Sequence, residues 1–146
     1  MKHYIKFDTE SFLKDSKGWP EKIKALRQDL DSITEISGHG EGMPSGGGVS
    51  SPTEKTAMER DKIQRQINTL EEYQSCFKYA WECTPEAARR LLTGFYFAPG
   101  YIYQFVDLWC AENASNRDYC YKAKREAEDC FGNACRRWME LNGYDT

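Results

Sequence analysis

Six cysteines and two histidines are the residues of this chain best suited to metal or redox chemistry. The cysteines are Cys76, Cys83, Cys110, Cys120, Cys130 and Cys135. They contain no CxxC pair, and His3 and His39 lie far from the cysteine-rich end of the chain. A zinc site needs ligands clustered at short spacing. The pattern therefore predicts no metal site, and it predicts reduced cysteines that are mostly buried and pack as small hydrophobic residues.

The glycine-rich stretch GMPSGGGVSSPTEK, residues 42–55, is a second candidate for ligand chemistry. It lacks the GxxxxGK[ST] pattern of a phosphate-binding loop, and no parallel-strand pattern precedes it. It is either an ordinary long connection or a set of backbone N–H groups that offers an anion site at the start of a helix. The chain also shows no triad and no carboxylate pair in an apolar setting. We therefore predict that the protein is not an enzyme and needs no cofactor.

Length and charge restrict the class of protein further. With 146 residues, 29% of them charged and 14% aromatic, the chain is expected to fold as one domain or two small ones. Its net charge of -3 argues against wholesale nucleic-acid binding but leaves local basic patches open. No run of 18 apolar residues occurs, and the N-terminus MKHYIKFDTE lacks the apolar core of a signal peptide. We expect a cytoplasmic protein that does not bind membranes.

The elements that would position any site are predicted to be helices, so the expected fold class is all-α. In residues 1–83, apolar residues at helical spacing predict long helices at 19–36 and 53–83, after a short helix in TESFLKD. The first carries an apolar stripe of Ile23, Leu26, Leu30 and Ile33, and the second a stripe of Ile63, Ile67, Leu70, Phe77 and Trp81, interrupted at Gln74. These stripes predict an antiparallel, coiled-coil-like hairpin with the Gly-rich loop at 38–52 and Thr53 as N-cap.

Residues 84–146 have a different pattern, which predicts three further helices. They are expected at 84–97, with Thr84 as N-cap, at 101–113, and at 117–143. Asn116 is the predicted N-cap of the last helix, and Gly143 is its predicted stop. A support helix followed by two helices across a tight connection is the order of a helix-turn-helix domain.

The last predicted helix has two different faces. With Cys120 buried, steps of 100° place Ala123, Ala127, Phe131, Ala134 and Trp138 on the same side. Residues 116–125 contain four basic residues and one acid, and most of them lie on the other side. A recognition helix reads the major groove from this position, at its N-terminal end. The candidate DNA-binding residues are Arg117, Tyr119, Tyr121, Lys122 and Arg125.

Each of these side chains suits a particular contact. Lys122 and Arg125 fit phosphate or guanine, whereas Arg117 at the helix start fits a base edge. Tyr121 fits a sugar or a thymine methyl group. A small helix-turn-helix buries little surface, so useful specificity implies a homodimer on paired half-sites.

Four stretches of the chain carry resemblances to two kinds of known protein. RRLLTGFYFAPGYIYQFV, followed by NASNRDYCYKAKREAEDCF, resembles the C-terminal DNA-binding region of bacterial sigma factors. The loop GMPSGGGVSSPTEKTAMERDKI and the opening FLKDSKGWPEKIKALRQDL resemble phage and prophage late-gene transcriptional regulators of the ArpU/RinA type, over about residues 10–140. The chain departs from that pattern at Ala114, where Gly is common, at Asn116, where Ser is the usual cap, and in a stretch about one helical turn longer than usual before the last helix. Beyond its basic start, the last helix also carries three acids that would repel phosphate, Glu126, Glu128 and Asp129.

The resemblance implies a sequence-specific DNA-binding regulator of transcription in a bacterial host cell, with RNA polymerase as a candidate partner. Two other functions fit the same elements. A phage DNA-packaging (terminase) small subunit also joins a helix-turn-helix to coiled-coil helices, but it assembles as a ring. A protein-interaction adaptor would use the helices without contacting DNA.

Overall fold

Every regular element described in the computed structural model is helical, which confirms the predicted all-α class. The structure describes residues 7–39 and 51–144. Its α-helices are α1 (Thr9–Ser16), α2 (Trp19–His39), α3 (Ser51–Cys83), α4 (Glu86–Leu92), α5 (Ile102–Glu112) and α6 (Arg117–Leu141). A π-helical segment, Thr93–Phe97, continues α4. In the described part of the chain, no helix has the length and apolar character needed to cross a membrane.

The chain divides into two compact units that share helix α3. The larger unit comprises Met1–Lys17 and Ser75–Thr146, and the smaller unit comprises Gly18–Gln74. The smaller unit ends at Gln74, the residue that interrupts the predicted apolar stripe of α3. The stripe residues before Gln74 therefore belong to the smaller unit, and those after it belong to the larger unit. This division differs from the predicted boundary between residues 83 and 84. Independent folding of residues 1–83 and 84–146 stays a prediction.

The smaller unit contains α2 and the first part of α3. The ring centroids of Trp19 and Tyr73 lie 5.7 Å apart, and the Arg27 guanidinium donates a hydrogen bond of 2.7 Å to the Glu71 carboxylate. Ile67 of the α3 stripe is buried. These contacts join the two helices, while their pairing as a coiled-coil hairpin stays a prediction.

An open groove of about 1250 Å³ lies between α2 and α3 in the smaller unit. Leu26 and Leu70, one from each predicted stripe, line this groove together with the exposed Met58. The side chains of both stripes are therefore only partly enclosed at this level of the unit.

An aromatic cluster forms the core of the larger unit. Its members come from α1, α3, the π-helical segment and α6: Phe12, Phe77, Trp81, Phe97 and Phe131. The ring centroids of Phe77 and Phe131 lie 5.2 Å apart, and those of Phe12 and Phe131 lie 6.3 Å apart. Phe131 is fully buried. Because its ring contacts side chains from both α1 and α3, α6 is the helix around which this unit is built.

The predicted buried face of α6 is confirmed. Cys120, Ala127, Phe131 and Ala134 are buried, whereas Ala123 and Trp138 of the same face are half-buried. Asn116 is the N-cap, as predicted, and α6 ends at Leu141, two residues before Gly143 with its positive φ of 82°.

The predicted helix at 84–97 is wrong in two details. Thr84 does not cap it, because α4 begins at Glu86 and the buried Thr84 hydroxyl donates a 2.6 Å hydrogen bond to the carbonyl of Ala80 at the end of α3. After Leu92 the helix widens into the π-helical segment, which is closed by a 2.7 Å bond from the Ala98 N–H to the Thr93 carbonyl. The widened turn changes the direction in which the following side chains point.

The Gly-rich loop falls largely outside the described residues. The structure is described up to His39 and again from Ser51, both of them helical, so residues 40–50 of the predicted loop at 38–52 carry no structural account. The prediction that Thr53 is an N-cap is wrong, because α3 begins two residues earlier, at Ser51.

All six cysteines are free, and their surroundings differ. The Cys76 thiol lies 3.7 Å from the Cys135 carbonyl oxygen, within hydrogen-bonding distance, and both residues are buried. A side-chain hydrogen bond with Cys76, together with burial, raises the pKa of the Cys135 thiol. Burial, together with the neighbouring Cys110, raises the pKa of Cys120. Since the thiolate is the reactive form, both thiols should be unreactive in the native protein.

We therefore expect a strong contrast in thiol labelling between sites. In the native protein at neutral pH, Cys83, which is exposed, should react with a maleimide within minutes. Cys120 and Cys135 should react at a comparable rate only after unfolding in urea. Mass spectrometry of digested protein measures each site separately. Labelling of native Cys120 as fast as Cys83 would contradict the assignment of the buried face of α6.

Candidate nucleic-acid interface

A tight turn connects α5 to α6 and fixes the start of α6. Ala114 lies in the left-handed region, with φ at 47°, which explains why Gly is common at this position in the family that the sequence resembles. The Ser115 N–H donates a 3.0 Å bond to the carbonyl of Cys110, back in α5. The Asn116 side chain accepts a 3.0 Å bond from the Tyr119 N–H and so caps α6. The first turn of α6 is therefore held by backbone hydrogen bonds.

The π-helical segment packs closely against α5, the helix that leads into this turn. A Cβ on Gly94 would lie 2.2 Å from the Phe105 ring, so only glycine fits between the two elements. The Phe95 and Phe105 rings meet edge to face at 5.4 Å, and Val106 of α5 is buried. Helices α4 and α5 also both pack on α6.

The structure places all five predicted DNA-binding residues on the exposed side of the first turns of α6. They are Arg117, Tyr119, Tyr121, Lys122 and Arg125. Two of them already have partners. The Arg117 guanidinium lies 3.2 Å from the Asp107 carboxylate of α5, and the Tyr121 ring lies 5.5 Å from the Phe95 ring. Neither contact prevents binding to DNA. An exposed ion pair such as that of Arg117 with Asp107 contributes roughly 0–1 kcal/mol, so Arg117 can exchange Asp107 for another partner. Tyr121 remains 41% exposed although it contacts Phe95.

Lys122 and Arg125 are the two predicted cations that remain available. Both are exposed, and neither has an ion pair or hydrogen bond within the part of the chain that the structure describes. Tyr119, beside them, is 60% exposed. The N-terminal end of α6 adds a partial positive charge from its unpaired N–H groups, which favours an anion such as phosphate.

Lys124, one of the four basic residues counted in 116–125, does not belong to this exposed surface. It is half-buried, its ammonium lies 5.1 Å from the centroid of the Phe95 ring, and it forms a 3.3 Å ion pair with Glu128. Glu128 also accepts a 2.6 Å hydrogen bond from the Tyr96 hydroxyl. Burial, and then this hydrogen bond, raise the pKa of Tyr96. Lys124 thus stabilises the fold, and the exposed positive charge is smaller than the sequence count indicates.

Two polar residues of the turn belong to the surface but were not predicted. Asn113 and Ser115 line a shallow cavity of about 230 Å³ together with Trp109, Tyr119, Lys122, Ala123 and Glu126, whose carboxylate disfavours an anion there. Small polar side chains next to a cation suit hydrogen bonds to phosphate oxygens. The sequence signal that was available is their position in the turn between α5 and α6, directly before the helix that was predicted to bind DNA.

Among the described residues, no three His, Cys, Asp or Glu side chains are grouped so that they could hold a metal ion. Comparisons of the chain with protein-family models, with curated proteins and with solved structures found no match.

Proposed function

We propose that this protein is a sequence-specific DNA-binding regulator of transcription, in which α5 and α6 act as a helix-turn-helix and α6 enters the major groove. The observation that carries the proposal is the pair of exposed, unpaired cations Lys122 and Arg125 on the first turns of a capped helix. The control of phage or prophage late genes, the bacterial host cytoplasm and a contact with RNA polymerase follow from the resemblance and are part of the proposal.

The proposed roles differ among the five residues. Lys122 and Arg125 neutralise phosphates and position the helix, with Asn113 and Ser115 as neighbouring hydrogen-bond donors. Arg117 exchanges its exposed partner Asp107 for a base edge, because a bidentate contact with guanine is stronger than a surface ion pair. Tyr119 and Tyr121 offer apolar contacts to sugars or to thymine methyl groups.

Alanine variants should separate these roles once a selection from random duplexes has provided a preferred site. Lys122→Ala/Arg125→Ala should weaken binding to preferred and unrelated duplexes by a similar factor, because phosphate contacts carry no sequence information. Arg117→Ala should cost roughly 1–3 kcal/mol on the preferred site and little elsewhere, because a base contact is lost. Fluorescence anisotropy with both duplexes measures the two effects.

Arg137→Ala is the matched control, since Arg137 is an exposed cation of the same helix, near its opposite end. This variant should bind both duplexes as the parent protein does. All of these substitutions lie on exposed helical surface, so the free energy of unfolding should change by no more than about 0.5 kcal/mol. If the triple variant at Arg117, Lys122 and Arg125 stays folded and binds as tightly as the parent, α6 is not the DNA-reading helix.

A second candidate function is a protein-interaction adaptor without DNA contacts. The observation that favours it is the exposed apolar surface of α5, where Leu108 is 54% exposed and Tyr103 is 56% exposed. The two functions differ in their response to DNA, since an adaptor shows no salt-dependent binding to any duplex. An octamer or larger ring in solution would instead favour the DNA-packaging small subunit.

A further inference from the structure

A cleft of about 860 Å³ lies in the larger unit, where the end of α3, one side of α4 and the C-terminal end of α5 meet. Sites for small molecules typically have volumes of about 300–1,000 Å³. We call it the α4–α5 cleft and define it by Trp81, Glu86, Arg89 and Trp109, together with the pair of Arg90 and Glu112. The DNA contacts proposed above use none of these side chains.

Two tryptophans provide the aromatic surface of the α4–α5 cleft. Trp81 is half-buried, and its ring stacks on Phe77 in the aromatic cluster while it also lines the cleft. Trp109 is half-buried as well, and its ring has no aromatic neighbour in the described part of the chain. Because an aromatic ring is stabilised by contact with the face or edge of another ring, a ligand with a flat ring fits this part of the cleft.

The cationic side chain available to a ligand in the cleft is Arg89. Arg90 is already paired with Glu112, so these two charges cancel each other. The Arg89 Nε is shielded from solvent and has no hydrogen-bond partner among the described residues, and its guanidinium forms no ion pair with any of them. A shielded donor of this kind requires an acceptor. The fork of N–H groups on a guanidinium matches the two oxygens of a carboxylate.

Glu86 supplies the opposite charge in the same cleft. Its side chain is exposed and forms no ion pair with any residue that the structure describes. Residues three apart on a helix have Cβ atoms about 5–6 Å apart, so Glu86 and Arg89 lie side by side on α4. A simple anion would be repelled by Glu86, and a simple cation would be repelled by Arg89. A ligand that carries both charges close together satisfies both residues.

We propose that the α4–α5 cleft binds an aromatic α-amino acid. The carboxylate of the ligand accepts hydrogen bonds from Arg89, its ammonium group pairs with Glu86, and its ring lies against the two tryptophans. An α-amino acid bears its ammonium and carboxylate groups on one carbon atom, which matches two opposite charges that lie side by side. A nucleotide fits less well, because its phosphate dianion would lie beside the Glu86 carboxylate.

The expected affinity is low, because the cleft is open and the ligand is small. For a ligand of the size of L-phenylalanine, an ordinary free energy of binding per atom corresponds to a dissociation constant of about 1 mM. The inference does not depend on DNA binding, because it concerns the protein alone.

Heteronuclear NMR of the isotopically labelled full chain, without DNA, tests the proposal. The chain has four tryptophans, and each gives one indole N–H signal. After assignment, addition of L-phenylalanine should shift the signals of Trp81 and Trp109 with a dissociation constant of about 1 mM. The signals of Trp19 and Trp138 should stay in place, because neither residue lines the cleft.

Three related compounds each remove one of the proposed contacts. N-acetyl-L-phenylalanine lacks the ammonium group, phenethylamine lacks the carboxylate, and L-alanine lacks the ring. Each should bind at least about fivefold more weakly than L-phenylalanine, because it leaves Glu86, Arg89 or the two tryptophans without a partner.

Substitutions at the two charged residues assign each contact to its side chain. Arg89→Gln should weaken the binding of L-phenylalanine to about the level of phenethylamine, because it removes the partner of the carboxylate. Glu86→Gln should weaken the binding of L-phenylalanine about fivefold and strengthen that of N-acetyl-L-phenylalanine, because it removes an acid beside the carboxylate of the ligand. Circular dichroism should show an unchanged helix content for both variants.

Arg137→Gln is the matched control, since Arg137 is an exposed cation of α6 outside the cleft, and it should bind L-phenylalanine as the parent does. Signals of Trp81 and Trp109 that stay in place up to about 10 mM L-phenylalanine overturn the proposal. Equal affinities for L-phenylalanine and N-acetyl-L-phenylalanine also overturn it, because the site would then take anions in general. So do equal shifts of all four tryptophan signals, or folded Glu86 and Arg89 variants that bind as the parent does.

Discussion

Phe131→Ala should destabilise the protein by about 3–5 kcal/mol, because it leaves a cavity in the aromatic cluster. Phe131 is fully buried, and its ring lies 5.2 Å from that of Phe77, 6.3 Å from that of Phe12 and 6.3 Å from that of Trp81. The three neighbouring rings are fixed on two separate helices, α1 and α3, so they cannot all move inwards to fill the space. A loss of this size is a large part of the roughly 5–15 kcal/mol that stabilises an ordinary domain.

Urea unfolding followed by circular dichroism measures this loss. Leu141→Ala is the control, because Leu141 is an apolar residue of the same helix that is 71% exposed. It should change the free energy of unfolding by no more than about 0.5 kcal/mol. A cost for Phe131→Ala below about 1.5 kcal/mol would show that the aromatic cluster is not the core of the larger unit.

Gly132→Ala should destabilise the protein by about 1–3 kcal/mol, although the same change in an exposed helix stabilises it by about 1 kcal/mol. The reason is the close approach of α1 to α6. A Cβ at residue 132 would lie 2.4 Å from the Thr9 hydroxyl oxygen, which is far inside van der Waals contact. The new methyl group therefore pushes α1 away from α6.

A double-mutant cycle with Thr9→Ala tests this explanation. Removing the Thr9 hydroxyl removes the atom at 2.4 Å and leaves the Thr9 Cβ at an ordinary contact distance of 3.5 Å. In the Thr9→Ala background, Gly132→Ala should be neutral or stabilising, which corresponds to a coupling energy of about 1–3 kcal/mol. If Gly132→Ala costs the same in both backgrounds, the contact between α1 and α6 is not as close as described.

Local sequence signals predicted the start, the end and the buried face of α6 well. Asn116 caps the helix and Gly143 follows its end with a positive φ, as expected from their intrinsic preferences. The spacing of Cys120, Ala127 and Phe131 predicted the buried side because one face of a helix repeats every 3.6 residues. Such features depend on a few neighbouring residues.

Features that depend on tertiary packing were not predicted. Thr84 followed by Pro85 is a good start for a helix, but the same hydroxyl also closes the end of α3, and only the packed structure decides between the two. The widening of the chain at Thr93–Phe97 has no local signal in the sequence. Within this segment Gly94 closely approaches Phe105, a residue 11 positions later, and such a contact depends on the packed structure.

The candidate interface shows the same distinction. The sequence placed Arg117, Lys122 and Arg125 on the exposed side of α6, and they are exposed. It did not predict that Asp107 pairs with Arg117, because that residue comes from another helix. Nor did a count of charges predict that Lys124 turns inwards to Glu128.

The salt dependence of duplex binding tests the central claim most directly. For a protein that neutralises phosphates, the logarithm of the association constant falls linearly with the logarithm of the salt concentration, by about 0.9 per phosphate contacted. Measured by fluorescence anisotropy between about 50 and 200 mM salt, Lys122→Ala/Arg125→Ala should reduce this slope by about 2 relative to the parent, and Arg137→Ala should leave it unchanged. Equal slopes for the parent and the double variant, or no measurable binding of the parent to any duplex, would contradict the claim that the start of α6 binds DNA.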